Sequence, residues 1–295
     1  MLNYSIVKCK NTEEIILENG IIKVVIVPEQ GGRILEFSRE NLNVLFRNPE
    51  FIGIKGDVKT ESKPENWFNY GGYKGWPAPQ TKWAWPPIFD IDLNVFSYEI
   101  VKFEKSLAVT LRSPVSDAIG LKFIREIIIE EESNHINIRE TIVNFNKEPV
   151  QWAVWGNTQA LSPGYVDIKL NSDVFTGGIT FYQDFDIPSS NAYSVRKDDT
   201  KVLRLNCDNK EKYKVGIVTD SGIIQYYCSA YKPKTLLFTQ KFQYEGQVVY
   251  PHGSNVEVYV DDMLPYTELE ILGGMSSIMP RESKSIHMVW QLESV

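Results

Sequence analysis

Apolar and polar positions alternate through most of this chain, with a period near two. Residues 15–27 read IILENGIIKVVIV, two apolar runs about Asn19-Gly20. Such a pair between strands predicts a hairpin, because both residue types tolerate positive φ. The alternation continues through 98–112, 121–130, 135–145 and 150–155, with Glu131-Glu132-Ser133-Asn134 as a polar turn. Shorter β-branched or aromatic runs follow at 166–170, 179–183, 201–206, 213–219, 223–228, 235–240, 256–260, 266–272 and 285–292. Gly, Pro, Asn and Asp separate them. No long stretch carries a 3.6-residue period. Strands without intervening helices predict an all-β architecture, and the absence of a Pro/Gly/Ser linker favours one large sandwich domain over 1–295. No fixed-period repeat suggests a propeller.

Residues 47–92 break the pattern. They are too rich in Gly, Pro and Trp for regular strand and predict a long ordered loop, with a functional segment at about 60–90. Four of the seven tryptophans lie between Trp67 and Trp85. Rigid aromatic faces suit the C–H faces of a sugar ring, and Lys74, Gln80 and Lys82 place donors nearby. Pro77, Pro79, Pro86 and Pro87 stiffen the segment. Two readings stand: a wall for a ligand, built by Trp76, Trp83 and Trp85, or a self-packed cap on the sandwich.

The segment YTELEIL at 266–272 puts Glu268 and Glu270 on one face of a strand. Two carboxylates there can do acid/base work, bind sugar hydroxyls or hold a cation; on a solvated face they do nothing. His252 lies in a turn-like YPHGSN segment and is a candidate acid or ligand contact. His135 reads as solvated and His287 as structural. Asp261-Asp262 and Asp184-x-Asp186 read as turns. Gly31-Gly32-Arg33 reads as a bend, with Arg33 free to bind ligand or to brace a carboxylate. No metal-site spacing, phosphate loop or nucleophile elbow is present, so neither metal nor cofactor is expected.

The chain has 31 Lys+Arg against 38 Asp+Glu, a net charge of −7. With no basic tract, the electrostatics argue against a nucleic-acid partner. No apolar run is long enough to span a membrane, and the amino terminus lacks a signal-peptide layout; a cytoplasmic protein is expected. Cys9, Cys207 and Cys228 are odd in number and far apart, which argues against a disulfide framework.

Four segments give a resemblance to the galactose-mutarotase-like superfamily, and within it to an uncharacterised bacterial branch, a domain of unknown function. They are ENGIIKVVIVPEQGGRILEF, NYGGYKGWPAPQTKWAWPP, QWAVWGNTQALSPG, and YTELEILGG with IMPRESKSIHMVWQL. The resemblance implies a β-supersandwich with a small sugar or sugar-derived ligand in a cleft on one sheet. It adds Tyr70, Trp155, Asn157 and Gln159 to the ligand-binding candidates, beside Arg33 and Glu270. In mutarotases a Glu takes the anomeric proton and a His protonates the ring oxygen. The Glu strand matches at Glu268. The histidines do not: Tyr70 and Trp155-Gly156-Asn157 stand at their places. His252, Tyr70 or Lys74 are the available substitutes. A sugar-binding protein is therefore the first expectation. A sugar epimerase with Glu268 as base is the second. A lyase or glycoside-processing enzyme using both glutamates, whose backbones lie about 6–7 Å apart by strand rise, is the third.

Overall fold

The computed structural model describes residues 2–170, 178–197, 201–208 and 210–295. In chain order the strands are β1 (Asn3–Cys9), β2 (Thr12–Glu18), β3 (Ile22–Val27), β4 (Arg33–Arg39), β5 (Leu42–Asn43) and β6 (Gly72–Ala78). Then come β7 (Ser97–Lys102), β8 (Ser106–Val115), β9 (Leu121–Glu130), β10 (His135–Asn144), β11 (Val150–Leu161) and β12 (Gly164–Lys169). They are followed by β13 (Ile179–Phe181), β14 (Tyr193–Lys197), β15 (Lys201–Cys207), β16 (Tyr213–Ile217) and β17 (Ile223–Cys228). The last are β18 (Leu236–Phe242), β19 (Val256–Val260), β20 (Tyr266–Leu272), β21 (Ser276–Ile278) and β22 (Ser283–Ser294). One four-residue helix, α1 (Phe89–Asp92), lies between β6 and β7.

Two antiparallel sheets form. One has twelve strands, ordered β1-β2-β3-β4-β6-β11-β20-β19-β16-β13, with β5 on β4 and β21 on β11. The other has ten, ordered β14-β15-β12-β17-β18-β22-β10-β9-β8-β7. The sheets meet over a core in which Trp290 of β22 sits 5.2 Å from Tyr73 of β6 and 5.8 Å from Phe37 of β4, ring centre to ring centre. The expected all-β sandwich is what the chain adopts. No helix among the described residues is long and apolar enough to cross a membrane.

The hairpin of β2 and β3 turns where the Asn-Gly pair stands, but only Gly20 has a positive φ, of 88°. Asn19 instead works through its amide. Its oxygen accepts from the Ile21 and Ile22 N–H groups, and its nitrogen donates to the carbonyls of Glu130 and Ser133 across the sandwich. The run 98–112 is two strands, β7 and β8, rather than one. The Gly31-Gly32-Arg33 segment bends as expected: Gly31 and Gly32 have φ of 69° and 61°. A Cβ on Gly31 would come within 2.3 Å of the Asp92 carbonyl oxygen, so the close approach itself requires glycine. Strand β1 differs from all the others. Its pattern is exposed at every position but the last, so it adds ladder bonds on β2 and almost no core.

Strand β6 corrects the expectation of a long irregular loop. GYKGWPA is a fully buried strand at the centre of the larger sheet, in register with β11 from Ala78↔Ala153 to Gly72↔Gln159. Toward β4 it pairs only at Tyr73↔Ile34. Most of that edge carries no ladder, which is where a proline such as Pro77 is tolerated. On the core side, Arg125 of β9 donates to Glu140 of β10 at 2.6 Å, and the Tyr73 hydroxyl donates to the same oxygen at 3.3 Å. Arg125 also donates to the Gly32 carbonyl. Arg125 and Glu140 are both buried.

Removing one partner of such a pair leaves a buried charge without compensation. Glu140→Ala is expected to lower stability by about 3–5 kcal/mol, and Arg125→Met with Glu140→Leu to recover most of that loss. Chemical denaturation of the three proteins checks both: a cost below about 1 kcal/mol for the single change would show that the pair does not hold the sheets together.

Candidate functional site

Pleating sends alternate residues of adjacent strands to one face. On β6, β11, β20, β19 and β16 that face is polar. One row across the strands reads Gly72, Gln159, Glu268, Tyr259, Lys214; the next reads Lys74, Asn157, Glu270, Glu257, Gly216. A third begins Trp76, Trp155, Leu272. The opposite faces of the same strands carry Tyr73, Thr158 and Leu269 into the inter-sheet core. Residues from five strands are thus brought together although they span 74 to 270 in sequence.

Each ion on this face meets its counter-ion laterally. Lys74 Nζ donates to Asn157 Oδ1 at 3.0 Å and lies 3.5 Å from Glu268 Oε1. Gln159 Nε2 donates to the same Glu268 oxygen at 2.8 Å. Lys214 Nζ is 2.7 Å from Glu257 and 3.0 Å from Glu270. The Trp155 indole N–H donates to Glu270 at 2.8 Å. Tyr182 donates to Glu257 at 2.7 Å, and His252 Nδ1 lies 3.0 Å from the same oxygen. Glu257 and Glu270 are fully buried, whereas the Glu268 side chain retains 15% exposure and that of Lys214 13%. Asn157 Nδ2 and Gln159 Oε1 are buried with no hydrogen-bond partner.

The environment separates the three carboxyls. Burial pushes Glu270 well up, and the neighbouring charges of Glu257 and Glu268 add to it. Burial pushes Glu257 the same way, but Lys214 and His252 outweigh it and hold Glu257 below the usual range. The two carboxyls share the Lys214 ammonium, and their surroundings pull them in opposite directions, Glu270 up and Glu257 down. Glu268 is likewise held down: Lys74 and the Gln159 amide overcome its burial. Burial brings Lys74 down to about 8, against the pull of Glu268. Lys214 moves up despite burial, because two carboxylates hold it.

The tryptophans pack on one another. Trp76 lies 5.5 Å from Trp155, 5.8 Å from Trp83 and 6.5 Å from Trp85, all edge to face. Trp76 and Trp155 are buried, Trp83 is half-buried, and Trp85 is 47% exposed. The segment is therefore largely the self-packed cap, with Trp85 as its open edge. Its anchor is Asp92, whose carboxylate accepts from the Trp76 indole at 2.7 Å, the Trp67 indole at 2.8 Å and Arg33 at 2.7 Å.

Several expected positions are corrected by this geometry. Arg33 has no exposed surface, and of its two expected roles the structure shows the bracing one, on Asp92. Tyr70 is buried in a separate apolar cluster with Val25 and Phe89, and burial drives its hydroxyl up to about 12. Lys82 donates to the Gln151 carbonyl and lies over the Trp152 ring, away from the polar face. Gln80 uses its backbone N–H, at 3.0 Å from His252 Nε2. Both ring nitrogens of His252 are then engaged, so it staples the 79–83 turn to Glu257. His287, expected to be structural, is exposed on the outer face of the ten-stranded sheet. Lys74, Trp155, Asn157, Gln159, Glu268 and Glu270 lie together on this face. Among the described residues no group of three or more His, Cys, Asp or Glu side chains is arranged to hold a metal ion.

Lys214, Glu257, Tyr182 and Asp92 were not singled out by sequence. Two of them had a readable signal. YKVGI and VEVYV each place one charged residue inside an otherwise apolar strand, which demands a buried partner.

A buried acid whose pKa the fold raises has a defined pH signature. Glu270 is raised in the fold, so its contribution to stability is fully present below the unfolded value near 4.5 and is lost as pH rises through the folded value. Glu270→Gln, which mimics the neutral acid, is expected to remove that loss. Denaturant midpoints of both proteins from pH 4 to 9 (a range set by about two ordinary carboxyl-to-amine pKa values) check this: the wild-type curve should fall relative to the variant with rising pH, and parallel curves would place the proton elsewhere.

Comparison with known proteins agrees with this architecture. A galactose mutarotase-like protein from Lactobacillus casei superposes with a TM-score of 0.58 at 10% identity, over 95% of this chain and 100% of its own. One from Clostridium acetobutylicum gives 0.56 at 12%, over 100% and 99%. A TPR-domain containing protein from Parabacteroides distasonis gives 0.56 at 15%, over 95% of this chain and 47% of that one. At these identities the likeness establishes the galactose-mutarotase-like fold. No match was found among curated proteins. A family model does match, over residues 12–292, and by it the chain belongs to the family described as Domain of unknown function (DUF4380).

Proposed function

We propose that this protein binds a sugar on the polar face of its twelve-stranded sheet. The observation that carries the reading is the pair of unpartnered buried amide atoms, Asn157 Nδ2 and Gln159 Oε1, beside the partly exposed carboxylate of Glu268. A buried polar atom without a partner is costly, and a ligand hydroxyl removes that cost. A hydroxyl both donates and accepts, so it can serve Gln159 Oε1 and Asn157 Nδ2 alike. The neighbouring Trp85 offers an exposed aromatic face at the margin. The names of similar folds, galactose mutarotase-like, are consistent with a sugar-type ligand.

A second reading, a sugar epimerase, is favoured by one contact. Glu268 is held ionised, and Lys74 lies 3.5 Å from it with its ammonium brought down to about 8. A base and an acid are thus adjacent and both close to their working protonation states near neutral pH. Glu268 would take the proton of the anomeric hydroxyl while Lys74 delivers one to the ring oxygen. The bond between the anomeric carbon and the ring oxygen then breaks as the carbonyl forms. Rotation and reversal of both transfers give the other anomer, with no net change in either residue.

Proton NMR on free aldoses with added protein separates the two readings. Saturation transfer to a sugar without faster anomer exchange is expected for a binding protein. Faster exchange is expected for an epimerase, and Glu268→Gln should then slow it by about 10²–10⁴-fold while saturation transfer survives. A Glu268→Gln protein that exchanges anomers at the original rate would remove Glu268 as the base. Silence on both readouts across the panel would overturn sugar binding at this face.

A further inference from the structure

We infer that the ligand of this face is an uncharged sugar, and that the site discriminates against the corresponding uronates and sugar phosphates. The inference rests on the sugar-binding reading and names the substrate class within it.

An anionic group needs a cation or several donors that are not already engaged. The strands of this face carry two ammonium groups, and both are committed; at the margin beyond Tyr259, Lys212 is held by Asp261 at 3.0 Å. Lys74 is shared between Asn157 and Glu268, and Lys214 between Glu257 and Glu270. The nearest guanidinium, Arg33, is buried on Asp92. Lys82 is turned to the Gln151 carbonyl. No positive charge on the described residues of this face lacks a contacting acceptor.

The group that remains open points the same way. Glu268 is the carboxyl of this face with exposed surface, and beside it Gln159 Oε1 is an unpartnered acceptor. Of the two orphaned amide atoms, only Asn157 Nδ2 donates. A sugar hydroxyl can donate to Glu268 and Gln159. A carboxylate or phosphate oxygen cannot, and it would bring like charge against Glu268 in a partly desolvated place where Coulomb repulsion is weakly screened.

The test compares matched probes at one pH and ionic strength. D-Galactose, D-galacturonate and D-galactose 6-phosphate would be titrated by saturation-transfer NMR, with the D-glucose series in parallel. Expected is at least tenfold weaker binding of each charged sugar than of its neutral parent. Glu268→Gln is expected to narrow that ratio at least threefold, because it removes the exposed negative charge and keeps the side-chain shape. Equal or tighter binding of a charged sugar would overturn the inference and leave sugar binding standing. An unchanged ratio in Glu268→Gln would show that Glu268 does not set the discrimination and would overturn its charge argument. If no sugar of either kind binds, the sugar-binding reading fails and this inference falls with it.

Discussion

Two buried carboxylates hold strand β6, and the rest of the molecule's organisation follows from where that strand lies. GYKGWPA has little tendency of its own toward extended structure. Beneath it, Glu140 takes the Tyr73 hydroxyl and sits so close that a Cβ on Gly75 would come within 2.6 Å of its carboxyl group. Above it, Asp92 takes the Trp76 indole. Each carboxylate is itself fixed by a buried arginine, Arg125 below and Arg33 above. The strand is thus clamped by charge-assisted hydrogen bonds rather than by propensity. Lys74, which points from the same strand into the polar face, inherits its position from both clamps.

Burial explains the order on that face. Fully ionised, its three glutamates and two lysines would leave one carboxylate without an ammonium of its own. Lys214 answers two of them at once, Glu257 and Glu270, and the surroundings pull those two carboxyls in opposite directions. The remaining carboxylate, Glu268, is the one nearest solvent, where its charge is cheapest to keep. Division of labour among like residues therefore comes from depth and neighbours, not from residue type.

The sequence made the sheet content legible because alternation survives in nearly every strand. It placed Glu268 and Glu270 on one face through their spacing alone. The strand β6 was not legible: its Gly and Pro residues signal a loop, and only tertiary contacts through Glu140 and Asp92 override that signal. Arg33 was left with two roles, and the decisive partner, Asp92, lies 59 residues away in a short helix with no pattern to announce it. His252 looked available because it stands in a turn; its two ring nitrogens turn out to be occupied by Glu257 and the Gln80 backbone. Lys214 and Glu257 were visible as lone charges in apolar strands, a cue that gains meaning only when strand neighbours are known. The polar face itself is non-local, since the order β6-β11-β20-β19-β16 cannot be read from chain order.

Strand β1 gives the larger sheet an uneven margin. Tyr4, Ile6 and Val7 are 41%, 45% and 46% exposed, and the strand is held by its ladder on β2. It can detach at the cost of those bonds without opening the core, so its amides belong to the least protected class in the molecule. Strand β20 lies six places inward along the same sheet, with β11 and β19 on either side. Amides there exchange with solvent only when the surrounding ladders open. Between the two lies a gradient of local opening across a single sheet, frayed at one margin and closed beneath Glu268, so the candidate site stays assembled through the excursions that loosen the edge.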